Sequence, residues 1–150
     1  MSRVLAIHVR PSPAAPTKAL PAAQLRARRG VEGDHKCLEE MPEKPRSGRD
    51  VTLIESEALE AAQREYGVTI SPAESRRNIL TEGVALNHLV GREFLIGEVR
   101  CYGARLCEPC NHLEGLTRPG VRESLVHRGG LRADVLTDGT IRPGDSVTPL

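Results

Sequence analysis

The chain is expected to be mainly β: a single barrel-like domain over residues 1–150 with a few short helices. Three observations lead there. Its 150 residues suit one core and leave little room for a second. Gly (14) and Pro (11) break it into short segments rather than long helices. Most apolar stretches alternate with polar residues at the strand period of two.

Arg3 to Arg10 reads as the first strand, with Leu5, Ile7 and Val9 on one face. Pro11 to Pro16 cannot continue a sheet and reads as an extended loop. A weaker strand over Leu20 to Leu25 follows, and Gly30 and Gly33 mark turns. The stretch 39–50 holds two prolines, one glycine and seven charged residues without periodicity, and reads as a mobile surface loop. Val51 to Ile54 is a short buried strand. Glu57 to Tyr66 carries one apolar stripe closed by Gly67, the pattern of an amphipathic helix. Ser71-Pro72-Ala73-Glu74 has capping-box spacing, enough for one turn. Leu86, Leu89 and Val90 suggest a second short helix ending at Gly91. Glu93 to Leu106 alternates, and Gly97 and Gly103 suggest bends of a curved sheet. A closing hairpin is expected over Leu131 to Thr137, Ile141 and Val147, with turns at Asp138-Gly139 and Pro143-Gly144-Asp145.

Composition narrows the function. Lys plus Arg total 21 against 20 for Asp plus Glu, a net charge of +1, which gives no bulk attraction to nucleic acid or acidic membrane. Phe94, Tyr66 and Tyr102 are the only aromatics, too few for a base-stacking surface. No apolar run reaches the roughly 20 residues of a membrane span, and no signal-peptide core follows Met1. A cytoplasmic protein without nucleic-acid or membrane partners is the expectation.

Three of the four cysteines, Cys101, Cys107 and Cys110, fall within ten residues. Cys107-Glu108-Pro109-Cys110 could hold a soft metal, exchange a disulfide, present one activated thiolate, or simply pack two thiols. Structural zinc normally needs a second pair, and Cys101 with His112 matches no common finger. A thioredoxin-like pair belongs early in an α/β fold, not late in a β-rich chain. Arginines surround the motif in sequence: Arg76 and Arg77 before it, Arg128 and Arg132 after it. Arg binds phosphate with a planar two-pronged fork, although each could equally be a solvated charge or hold a carboxylate. Asn78 adds an amide able to donate and accept. Asp34-His35 after Gly33 reads more simply as a turn or satisfied hydrogen bond than as a catalytic dyad. Gly129-Gly130 allows close backbone approach.

Taken in order, Gly33-Asp34-His35, Val51-Thr52-Leu53, Ser75-Arg76-Arg77-Asn78-Ile79, Leu89 to Arg92 with Gly97, Cys107 to Cys110, Arg128 to Leu131, and Ile141 with Gly144-Asp145 resemble the MOSC domain family, the C-terminal domain type of molybdenum-cofactor sulfurases. The likeness extends over roughly residues 3 to 148. It implies a barrel-like β fold and a role with the molybdenum cofactor (molybdopterin) or its sulfur. It implies further that Cys110, followed by a polar segment and Thr117, is the metal-ligating and catalytic cysteine. Arg76, Arg77, Asn78, Cys107 and Arg128 would then bind the cofactor. A thiolate is a soft ligand suited to molybdenum and can also accept sulfur as a persulfide. One departure stands out: His35 follows Asp34 directly, where the family commonly has a residue between them.

The resemblance thus implies a cofactor-binding or sulfur-carrier domain. Its expected partners are a pyridoxal-phosphate cysteine desulfurase or a molybdoenzyme. Alternatives are a molybdenum-dependent reductase of N-hydroxylated compounds served by a redox partner, and a structural metal-binding or interaction domain.

Overall fold

The computed structural model describes residues 2–150. Among the described residues, eleven strands, three short α-helices and one 3-10 turn are formed. Eight strands make one curled sheet in the order β11-β7-β8-β9-β5-β6-β1-β2, and β10, β3 and β4 (Gly30–Val31) make a second. The large sheet closes on itself where the start of β1 (Arg3–Val9) meets the chain before β11 (Val147–Pro149). There the Val4 N–H donates to the Asp145 carbonyl and the Gly144 N–H to the Val4 carbonyl, each at 2.8 Å. The barrel-like β architecture expected from the sequence is what forms.

The main core fills this barrel. Phe94, the single phenylalanine, is fully buried in it beside Ile7, Leu53, Ile79, Leu131 and Ile141. With so few aromatics, many Leu, Ile and Val side chains share the apolar burial, each contributing roughly 1.5–3 kcal/mol.

In β1, Val4 rather than Leu5 shares the inner face with Ile7 and Val9. A register shift between Val4 and Ala6 against β6 (Ile79–Glu82) turns Leu5 outward, onto Ile54, Ala58 and Leu80. The single strand expected at 20–25 is two, β2 (Lys18–Leu20) and β3 (Ala23–Arg26). Pro21 has no N–H to give a ladder, and the strands on either side of it join different sheets. The stretch 39–50 is irregular as expected. Its end is nevertheless tied down: Arg46 donates to the Arg29 carbonyl (2.8 Å) and Asp50 (3.1 Å), and Gly48 N–H to Asp134 (2.6 Å).

β5 (Val51–Glu55) leads into α1 (Ser56–Tyr66), which crosses back to place β6 parallel to β5. Ala58, Ala61 and Ala62 form the buried stripe of α1. Gly67 ends it in the left-handed region (φ 67°), its N–H on the Gln63 carbonyl at 2.9 Å. The capping box forms reciprocally: Ser71 N–H on the Glu74 carboxylate at 3.0 Å, Glu74 N–H on Ser71 Oγ at 3.1 Å. The expected helix at Leu86 to Val90 is a single 3-10 turn, Leu86–Leu89.

β7 (Glu93–Ile96) and β8 (Val99–Leu106) turn at Gly97, and the bulge falls after Gly103 as the glycine pattern suggests. The closing strands lie where expected: β9 (Leu131–Val135), β10 (Gly139–Ile141) and β11. They do not pair as a hairpin. Both edges of β9 are taken by β8 and β5, so β10 pairs with β3 and β11 with β7. Two helices outside the expectation, α2 (Asn111–Leu116) and α3 (Val121–Ser124), pack Leu113, Val121 and Leu125 onto Ala62 of α1.

Candidate functional site

At one end of the barrel the tip of β1, the 34–36 turn, the start of β5, residues 76–78, Cys107 and Arg132 of β9 enclose a cleft of about 560 Å3, counting its open mouth. Six of its residues are cationic: Arg10, Lys36, Arg49, Arg76, Arg77 and Arg132. The two carboxylates in its wall are already engaged. Asp34 accepts the N–H groups of Arg10 (2.9 Å) and Lys36 (3.1 Å). Asp50 accepts Arg46 (3.1 Å) and the Val135 N–H (3.0 Å). Burial raises the Asp50 pKa, and Val135 and Arg46 oppose that. The cleft is therefore electropositive.

Arg77 is its keystone. The guanidinium donates to three backbone carbonyls: Gly129 (2.8 Å), Cys107 (2.9 Å) and Ser75 (3.1 Å). No carboxylate is involved. One side chain thus locks the 75–78 segment, the cysteine segment and the glycine turn together, with two N–H groups left over from the five of a guanidinium. Burial pulls the Arg77 pKa down. A negative charge on Cys107 or Cys110 would oppose this, and Arg132 adds to it.

The cysteine segment is also held from the other side. The Cys107 N–H donates to the Gly130 carbonyl at 2.7 Å. Glu108 accepts the His127 N–H and meets His127 Nδ1, both at 2.8 Å. The paired glycines follow from this close fit. A Cβ on Gly129 would strike the Cys107 carbonyl, and one on Gly130 (φ +113°) the Leu53 carbonyl. Cys107 is buried in the cleft wall, whereas Cys110, just before α2, is exposed and outside the lining. The two thiols differ in environment.

The remaining expected residues separate. Arg76 lines the cleft, its backbone in the left-handed region (φ 61°) that a non-glycine rarely adopts. Arg76, Arg132, Arg49 and Lys36 have no side-chain hydrogen bond or ion pair among the described residues, and their charges are free for a ligand. Asn78 lines the cleft, but its amide is occupied. Its oxygen accepts the Thr52 N–H (3.0 Å) and hydroxyl (3.2 Å), and its nitrogen donates to the His8 carbonyl (3.1 Å). It fixes β1 to β5. Arg128 is not in the lining, and its guanidinium pairs with Glu65 of α1 at 2.6 Å. Arg132, four residues on, lies in the wall instead.

Asp34-His35 is a staple, not a dyad: the His35 N–H (2.8 Å) and Nδ1 (3.0 Å) both meet the Arg10 carbonyl. Cys101 is a core residue of β8 whose thiol burial pushes up to about 12. Cys37 is half-buried outside the cleft, its pKa also raised by burial. Sequence reasoning missed His8, Arg10, Lys36 and Arg49. The available signal was position, since Arg10 ends a strand and Lys36 ends the Gly33 turn.

Among known proteins, the family model described as the MOSC domain matches residues 29–148. No curated protein matches the sequence. Several solved structures share the fold. The YuaD protein of Bacillus subtilis superposes with a TM-score of 0.79 at 16% identity, covering 98% of this chain and 94% of that one. YiiM from Geobacillus stearothermophilus gives 0.75 at 13% identity, with 100% and 75% covered. YiiM from Escherichia coli gives 0.69 at 16%, with 99% and 69% covered. Among the described residues no helix is long and apolar enough to cross a membrane.

Proposed function

The chain belongs to the MOSC domain family, and from that premise we propose that it binds the molybdenum cofactor, or carries its sulfur as a persulfide, through Cys110. The observation that carries the reading is the cationic cleft with Cys107 in its wall and the exposed Cys110 three residues further along the same segment.

The residues present fit such a group. A thiolate is a soft donor for molybdenum, and Arg76 and Arg132 offer unpaired forks for a phosphate. The buried Nδ1 of His8, in the same wall, has no hydrogen-bond partner. When bound, the cofactor supplies a redox-active metal able to exchange oxygen or sulfur. The chain does the rest. Arg76, Arg132 and Arg10 hold the anionic end, Arg77 and Asn78 fix the wall, and Cys110 offers the thiolate. Arg128, held by Glu65, steadies α1 rather than the ligand. Sulfur would come from a separate pyridoxal-phosphate cysteine desulfurase and pass to a molybdoenzyme.

The structural-zinc alternative lacks support: among the described residues no group of three or more His, Cys, Asp or Glu converges to hold a metal. Metal, pterin and sulfane-sulfur analysis of protein made in a cofactor-competent host tests the proposal. Molybdenum with pterin, or a persulfide, is expected in the wild type and absent from Cys110→Ser. Zinc in their place would overturn it. Turnover of N-hydroxylated compounds with an artificial electron donor would move the assignment to a reductase.

A further inference from the structure

His8 departs from the strand pattern around it. Ile7 and Val9 of β1 enter the barrel core, so the pleat turns His8 to the opposite face, where a polar residue normally meets water. Here the face is covered by the loops that build the cleft, and His8 is only 7% exposed. Its backbone is held on both sides by Asn78: the His8 N–H donates to the Asn78 carbonyl at 2.6 Å, and the His8 carbonyl accepts the Asn78 amide at 3.1 Å. The ring therefore has a fixed base.

Yet the ring nitrogen Nδ1 is shielded from water and has no partner among the described residues. A buried polar atom left unpaired destabilises the fold, and such atoms are rare enough to require a reason. His35, also in the cleft wall, spends its own Nδ1 on the Arg10 carbonyl. Burial also lowers the His8 pKa, which favours the neutral imidazole. A neutral ring offers one N–H donor and one lone pair. It adds directional bonding to a cleft that already holds six cations, without adding charge.

We infer that His8 is a ligand-binding residue of this cleft, its imidazole hydrogen-bonding a tetrahedral oxyanion of the phosphate-monoester type held by Arg76 and Arg132. His8 also lines the cleft, so a bound ligand can give its ring a partner that the described residues do not. The inference rests on the anion-binding reading above and adds to it a donor that is not an arginine.

The two roles open to His8 predict different pairs of results. For a ligand-binding His8, His8→Phe, which keeps a ring of similar size and removes both nitrogens, raises the thermal midpoint of the free protein. The same change weakens inorganic phosphate, measured by titration calorimetry, by about tenfold or more. His8→Gln, which restores an amide, recovers part of that affinity. Should His8→Phe fail to fold, His8→Leu serves the same comparison. A purely structural His8 would alter the midpoint and leave phosphate affinity at the wild-type value in both apolar variants, and that result overturns the inference. Wild-type protein that binds no phosphate would instead sink the anion-cleft reading itself, and this inference with it.

Discussion

Replacing Arg77 with Lys should strongly destabilise the protein, although the charge is kept. Arg77 makes three charge-assisted hydrogen bonds of 2.8, 2.9 and 3.1 Å to carbonyls on three separate segments. A lysine ammonium on a single stem can keep one of them. Each charge-assisted bond contributes about 1.5–3 kcal/mol, so the loss of two amounts to about 3–6 kcal/mol. The carbonyls of Gly129 or Cys107 would then be left without that partner in a part-buried site. Against a typical total stability of about 5–15 kcal/mol, this is a large fraction. Urea denaturation followed by circular dichroism measures it, with the slope checked for two-state behaviour. The internal comparison is Arg76→Lys, one residue away, where the side chain has no protein partner and the change should stay within about 0.5 kcal/mol. If the two variants lost equal stability, or Arg77→Lys less than about 1 kcal/mol, the keystone account of the site would be wrong.

Cys110→Ser should abolish persulfide loading from a cysteine desulfurase, while Cys107→Ser should weaken it at most. Equal loss by a sulfane-sulfur assay would mean that the two thiols act as a pair. Gly130→Ala should cost on the order of 2–4 kcal/mol in thermal unfolding, because φ is +113° and the new methyl meets the Leu53 carbonyl; a wild-type midpoint would refute this. Glu74 is held below its usual 4.5 chiefly by the Arg118 hydrogen bonds and by Ser71. Its depressed folded-state pKa means that its stabilisation is present above 4.5 and lost as the pH falls through the folded value. The thermal-midpoint gap between wild type and Glu74→Gln should therefore be open at neutral pH and close in acid. A gap independent of pH would remove the Glu74–Arg118 pair as its cause.

Local features were legible in the sequence, and long-range ones were not. The α1 stripe with Gly67, the capping box at Ser71 and Glu74, and the breaks at Gly97 and Gly103 each depend on residues a few positions apart. The order of short motifs was enough to identify the family. Strand pairing depended on what the rest of the sheet left open: β10 could not pair with β9 once β8 and β5 had taken both its edges. The bulge that turns Leu5 outward exists only against β6. At the site, the 76–78 and 107–110 segments were expected to meet, and Arg77 ties them together. Sequence could not rank neighbouring arginines, because the choice between Arg128 and Arg132 depends on Glu65, a helix away. His8 was hidden for the same reason, since alternation predicts a water-facing residue and the covering loops come from elsewhere in the chain.

Native mass spectrometry of wild type and Cys110→Ser, both from a cofactor-competent host, tests the central claim most directly. The account predicts a molybdopterin adduct or an added sulfur on the wild type and neither on the variant. The same adduct on both proteins, or none on the wild type, would contradict it.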